Sequence, residues 1–338
     1  MNRPSPASSN RQVEVQSSLS LTGQRPLIAG LIVALAPLVL ASLFWDPMML
    51  RSVAARDPAL AWTVLRELRL PRTGLAVIIG ASLGLCGAAM QGLLRNPLAS
   101  PDVLGPSTGA SLGAVMAGYF LGGGTFAVAL GGMSGALLAL ALLLALAGPA
   151  AATTTLVLAG VAISALAGAL VNLALSLAPS PYALYDVMFW LLGSLADRSL
   201  PQLATAGPII VVAGFVLFRQ RHKLDSLALG EDVAGSLGVD VRRLRWAIVV
   251  ATGVMTGAGV AVAGSIGFVG LIVPHLVRPL VGNRPGAALA PAAVAGAVLL
   301  VAADMAVRIP INGQELKLGV LTALIGAPFF LWLVVKGR

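Results

Sequence analysis

Residues 103–185 read VLGPSTGASLGAVMAGYFLGGGTFAVALGGMSGALLALALLLALAGPAAATTTLVLAGVAISALAGALVNLALSLAPSPYALY, 83 residues without one Asp, Glu, Lys or Arg. A soluble domain of that length carries charges on its solvated faces, so this stretch has lipid or protein on every side. At about 1.5 Å per residue, roughly 20 apolar residues cross a bilayer's hydrocarbon core. The block is therefore too long for one crossing and right for three. It breaks at Gly122-Gly123-Gly124 and Gly148-Pro149, giving spans over 103–121, 125–147 and 155–177.

Working outward from this block, spans are expected over 27–45, 73–94, 203–218, 287–303 and 318–335. The apolar run 187–195 is too short to cross and belongs at the interface. Residues 246–277 are uncharged and too long for one helix, and Gly264-Ser265-Ile266-Gly267 divides them into two. The total is ten. Composition agrees: 58% of residues are hydrophobic, only 10% are charged, and the mean hydropathy is +0.93. Small-residue pairs at Gly80/Gly84, Gly131/Gly135 and Gly253/Gly257 suit close helix contacts.

The formal charge of +9 reads as topology rather than nucleic-acid binding, because basic loops stay on the cytoplasmic side. An N-terminus inside puts most of the 22 basic residues inside, with both termini cytoplasmic. Five arginines, Arg51, Arg56, Arg66, Arg69 and Arg72, nevertheless crowd the first outer loop. Residues 1–26 are Ser-, Pro- and Arg-containing and read as a flexible cytoplasmic tail. Cys86 is the one cysteine and there are two histidines, too few for a clustered metal site. His275, after Pro274, reads as structure rather than a proton relay. No Gly-x-x-x-x-Gly-Lys-[Ser/Thr] phosphate cradle occurs. The chain is thus expected to be no enzyme and to bind no cofactor.

Five segments then converge. They are Leu68-Arg69-Leu70-Pro71-Arg72; Gln91 through Gly105, containing Arg95-Asn96-Pro97-Leu98; Leu229-Gly230-Glu231 with Ser236-Leu237-Gly238-Val239; Ala263 through His275; and Leu321 through Phe330. In this order they resemble the permease subunits of bacterial type II ATP-binding-cassette importers for ferric siderophores, haem and cobalamin, over about residues 27–338. The resemblance implies an all-α membrane protein with about ten transmembrane helices, in one permease domain over 27–338. It implies a second permease copy, as homodimer or close heterodimer, and two cytoplasmic ATPase subunits that hold ATP and Mg. A periplasmic or lipid-anchored binding protein delivers the cargo, a ferric siderophore first, haem or cobalamin otherwise.

The resemblance also assigns residues. Arg69, Arg72 and Arg308 match the arginines that receive the binding protein; the alternative is anchoring at the headgroups. A coupling loop over 219–245 carries Gly230, Glu231, Asp232, Leu237, Gly238, Arg242 and Arg243 toward the ATPase; the alternative is a topogenic anchor. Asn96, Pro97 and Leu98, where Pro97 is expected to break the second span, match one inner constriction of the path. Thr153 and Thr154 match the other, and a helix N-cap explains those two equally well. Glu315-Leu316-Lys317-Leu318 and Ser265 depart from the family's usual Pro and Val, and from its usual Pro. A secondary transporter for the same cargo is the competing reading, but such proteins carry ionisable groups in mid-membrane. Here the one acid near a span is Asp304, at an outer end.

Overall fold

The computed structural model describes residues 6–44, 52, 55–120, 125–148, 153–310 and 315–336. The expected breaks at Gly122-Gly123-Gly124 and Pro149, and Arg51, lie outside the described residues. Among the described residues the regular structure is helical, with no strand.

Ten helices stand where ten spans were expected. They are α1 (Pro6–Leu43), α3 (Leu70–Leu93), α4 (Pro106–Phe120), α5 (Thr125–Ala147), α6 (Thr153–Ser176), α8 (Leu200–Phe218), α11 (Val241–Ala263), α12 (Val269–Val277), α13 (Pro285–Val307) and α14 (Leu318–Lys336). Among the described residues there are also shorter helices: α2 (Pro58–Thr63), α7 (Pro181–Leu191), α9 (Arg221–Leu227) and α10 (Glu231–Ser236). α7 covers the run expected at the interface. A π-helical stretch, Val64–Arg69, joins α2 to α3 without a break.

Local chemistry sets the ends. Asp57 caps α2 by accepting from the Ala59 and Leu60 amides at 2.9 and 3.1 Å. Asp240 caps α11 through the Arg243 amide at 2.9 Å. Ser199 and Gln202 form a capping box at the start of α8, with the Ser199 amide donating to Gln202 Oε1 at 2.8 Å. The division expected after residue 263 is present. α11 stops at Gly264, whose φ of 71° is open to glycine and costly for other residues.

Three expectations need adjusting. α1 is helical from Pro6, through the segment read as a flexible tail. The helix passes through Gly23 and Pro26, which disfavour a helix interior, and residues 7–22 beyond them hold neither Gly nor Pro. The eighth expected span is short. Even with the 3-10 turn Arg278–Val281 it runs only over Val269–Val281, less than a bilayer's thickness. Finally, Pro97 does not break α3. The helix already ends at Leu93, capped by Leu94, and Arg95 turns away with φ 48°. Pro97 follows, as prolines commonly do just past a helix end.

Packing divides the helices into inner and outer. In the apolar windows of α3 and α11, 78% of residues are buried, against 6% in α1. α3 crosses α13 at a seam where Gly80 faces the Gly296 carbonyl and Gly84 the Ala292 carbonyl. α4 meets α5 in the same way, Gly113 against Gly131 and Gly109 against Gly135. A Cβ at Gly84 or Gly113 would overlap a backbone oxygen, so these glycines permit helix separations that no other residue allows. Gly257 faces Ala136 of α5. All three glycine pairs singled out in the sequence thus lie at helix seams. The outward faces are also apolar: Leu138, Leu166, Val212 and Leu331 are each more than three-fifths exposed. That surface has the character of one solvated by lipid or a partner.

Candidate docking, coupling and gating sites

At the α3 N-terminus the chain folds four segments onto one carboxylate. Asp304, fully buried near the end of α13, accepts from Arg72 Nε at 3.0 and 3.2 Å. It also accepts from Arg308 Nε at 3.0 Å and from Arg308 Nη2. Arg308 further donates to the Ser42 carbonyl at 2.7 Å and to Ser42 Oγ at 2.9 Å, tying in α1. Ser42 Oγ shares a 2.8 Å hydrogen bond with Thr73 Oγ1. Outside this core, Arg72 reaches Glu315 at 3.4 Å, just before α14. The side chains of Arg72 and Arg308 are only 14% and 5% exposed.

Two of the three expected docking arginines are therefore brought together, but on an internal acid. Arg69, at the end of the π-helical stretch, is half-buried one turn earlier. The hub role of Asp304 was not read from the sequence. Its i,i+4 spacing to Arg308 was a usable signal; the pairing with Arg72, 232 positions away, was not.

The segment 219–245 folds into α9, α10 and the first turn of α11. Gly230 and Gly238 bracket α10 with φ of 115° and 82°, conformations that favour glycine. Asp232, Leu237, Gly238, Arg242 and Arg243 are all exposed. Leu229 before α10, Val233 within it and Leu237 at its C-cap are exposed apolar side chains. Glu231 differs: it pairs with Arg245 at 3.0 Å, and the Arg245 side chain is 11% exposed. The sequence reading offered Glu231 to a partner, whereas the fold uses it, with Arg245, to fix α10 on α11.

Asn96 Oδ1 accepts the Leu98 amide at 2.9 Å, closing a turn that leaves Pro97 and Leu98 exposed. The chain then returns as the 3-10 turn Pro101–Leu104. There Asp102 accepts from Ser107 Oγ at 2.8 Å and Ser100 Oγ at 3.1 Å. Burial pushes the Asp102 carboxyl above the ordinary carboxylate range, and the two serine hydrogen bonds oppose that rise. Gly105 lies against Ile163 of α6. Thr153 opens α6, and Thr154 beside it is exposed. His275 stacks edge-on to Phe329 at 6.1 Å. An apolar cleft of about 590 Å³, lined by Leu192, Phe268, Leu324 and Pro328, opens along α14. Among the described residues no group of three His, Cys, Asp or Glu comes together to hold a metal.

Seven of the described helices are long and apolar enough to cross a membrane, and two shorter apolar helices stand with them, the character of an integral membrane protein. The chain belongs to the FecCD transport family, whose profile matches residues 27–336, and it is a permease subunit of that importer type. It is 42% identical over 291 residues to a Vibrio cholerae serotype O1 protein named "Vitamin B12 import system permease protein BtuC", covering 83% of this chain and 87% of that one. It is 38% identical over 303 residues to the Halobacterium salinarum "Cobalamin import system permease protein BtuC", covering 88% and 81%. A solved chain described as an inward-facing metal-chelate type ABC transporter superposes with a TM-score of 0.82 at 31% identity, covering 92% of this chain and 99% of that one.

Proposed function

We propose that the chain is the translocating subunit of a cobalamin importer. It works in a cytoplasmic membrane with both termini inside, paired with a second permease copy. The observation that carries the cargo assignment is the 42% identity, across most of both chains, to a protein named for vitamin B12 import. It reverses the order expected from sequence, in which a ferric siderophore came first.

In this reading two ATPase subunits take up α10. Exposed Val233 of α10, with Leu229 and Leu237 flanking it, supplies apolar contact, and Asp232, Arg242 and Arg243 set the register by charge. The Glu231–Arg245 pair transmits the motion into α11, because it joins the contact helix to a buried span. On the opposite face, Arg69 and the outer edge of Arg72 receive acidic residues of a binding protein. Arg308, almost wholly buried, holds that platform in place. The Asn96–Leu98 turn and the start of α6 line the inner end of the path, and the cleft along α14 faces the second copy. Asp304 lies enclosed between two guanidiniums. It is therefore poorly placed to exchange with a coupling ion, which weighs against a secondary transporter.

The test is uptake of radiolabelled cyanocobalamin into proteoliposomes holding the permease, its ATPase and its binding protein. Uptake that requires ATP and is unaffected by excess ferric siderophore is expected. Uptake persisting without the ATPase would establish the secondary transporter, and siderophore uptake without cobalamin uptake would refute the cargo.

A further inference from the structure

A cavity of about 290 Å³ lies at one membrane boundary, where three spans end together. The apolar run of α1 starts at Arg25, α8 finishes at Phe218, and α13 starts at Pro285. The cavity has two halves. Its rim carries Arg25, Arg221, His222 and Arg284, with Asp225 the one acid; its floor is Ile28, Phe218, Ala287 and Ala290.

The acid is already committed. Asp225 accepts from Arg284 Nη2 at 3.1 Å and from the Gly286 amide at 2.9 Å, closing the first turn of α13. Arg25 and Arg221 are exposed, and among the described residues neither meets a carboxylate. Arg221 is held in place nonetheless. Its guanidinium lies 4.8 Å over the Phe218 ring, and its Nε donates to His222 Nε2 at 3.1 Å. Two exposed cations, one of them held in place, thus line the same cavity as an apolar surface where three spans end.

We propose that this cavity binds the phosphodiester headgroup of an anionic phospholipid of the surrounding membrane. Arg25 and Arg221 take the phosphate, and the first methylenes of an acyl chain lie on Ile28, Phe218 and Ala287. Basic pockets between spans recognise such headgroups, and guanidinium forks suit phosphate oxygens. A free anion would use only the rim; the apolar floor beneath it selects a lipid. The site also has a mechanical consequence. Arg221 belongs to α9, which leads directly into α10, so a bound lipid moors the segment 219–245 to the membrane boundary.

The test is native mass spectrometry of the full chain, in the assembly in which it purifies, titrated with phosphatidylglycerol or phosphatidylcholine of equal chain length. Wild type should retain phosphatidylglycerol preferentially. Each basic residue is worth roughly fivefold in binding an anionic lipid, so Arg25→Gln with Arg221→Gln should cut that preference roughly 25-fold. Arg25→Lys with Arg221→Lys should keep most of it, and this pair preserves the charge should the glutamine pair not fold. Arg56→Gln with Arg66→Gln, exposed at the other end of the molecule, should leave it unchanged. Wild type without a headgroup preference, or a glutamine pair that binds as wild type does, would overturn the proposal. Millimolar inorganic phosphate should not displace the lipid; displacement would reduce the site to a simple anion site and would also overturn it.

Discussion

Asp304→Ala is the substitution that most directly probes the built platform. Asp304 is fully buried, and the guanidiniums on it are 5% and 14% exposed, so solvent screens the cluster weakly. Removing the acid leaves Arg308 with only the neutral oxygens of Ser42. Arg72 keeps only Glu315, which is 47% exposed and 3.4 Å away. Breaking a buried ion pair from one side costs about 3–5 kcal/mol, chiefly because the partner charge is stranded. That is a large share of the roughly 5–15 kcal/mol that holds a typical domain folded. The measurement is thermal or SDS-induced unfolding of the detergent-purified chain, followed by tryptophan fluorescence. The double variant Asp304→Ala with Arg308→Ala should cost clearly less than the sum of the two single changes, because each removes the other's stranded charge. Replacing the triad by apolar side chains (Arg72→Met, Asp304→Leu, Arg308→Met) should recover much of the loss. A cost for Asp304→Ala under about 1 kcal/mol, or strict additivity in the double variant, would refute the view that the cluster is a coupled and desolvated unit.

Other outcomes are expected from the same structure. Glu315→Gln should cost at most about 1 kcal/mol in the same unfolding assay, because the Arg72–Glu315 contact is exposed on the acid's side. Gly84→Ala should destabilise by about 1–3 kcal/mol. The new methyl meets the Ala292 carbonyl rather than a movable side chain, so Gly84→Leu should prevent assembly of the α3–α13 seam, as read by protease sensitivity. Asp102→Asn should flatten part of the pH dependence of stability. The native carboxyl titrates above 3.8, so its contribution is full below pH 3.8 and fades as pH rises through the native value. The wild-type melting temperature should therefore fall relative to Asp102→Asn over that rise, and a constant difference would refute the assignment. Leu237→Glu, at the exposed C-cap of α10, should change the unfolding free energy by no more than about 0.5 kcal/mol while abolishing ATP-driven uptake.

The sequence by itself determined the architecture. Charge-free lengths, Gly and Pro breaks and the five ordered motifs placed ten helices and the family. This works because a bilayer demands that every spanning backbone satisfy its own hydrogen bonds, so hydropathy and length nearly dictate the element. It was weaker wherever length alone had to decide. The uncharged run after Trp246 held one full helix and one short one, and α1 extended upstream through Gly23 and Pro26, two residues that disfavour a helix interior. Only the tertiary structure decided which charges are available. Arg72 and Arg308 looked like rim arginines, yet both close on Asp304; Glu231 looked like a partner contact, yet it holds Arg245. The Arg72–Asp304 pairing joins residues 232 positions apart, and a one-dimensional pattern records charge without recording what the fold sets opposite it. Arg25, Arg221 and Arg284 likewise read as separate topogenic charges until three span ends bring them around one cavity.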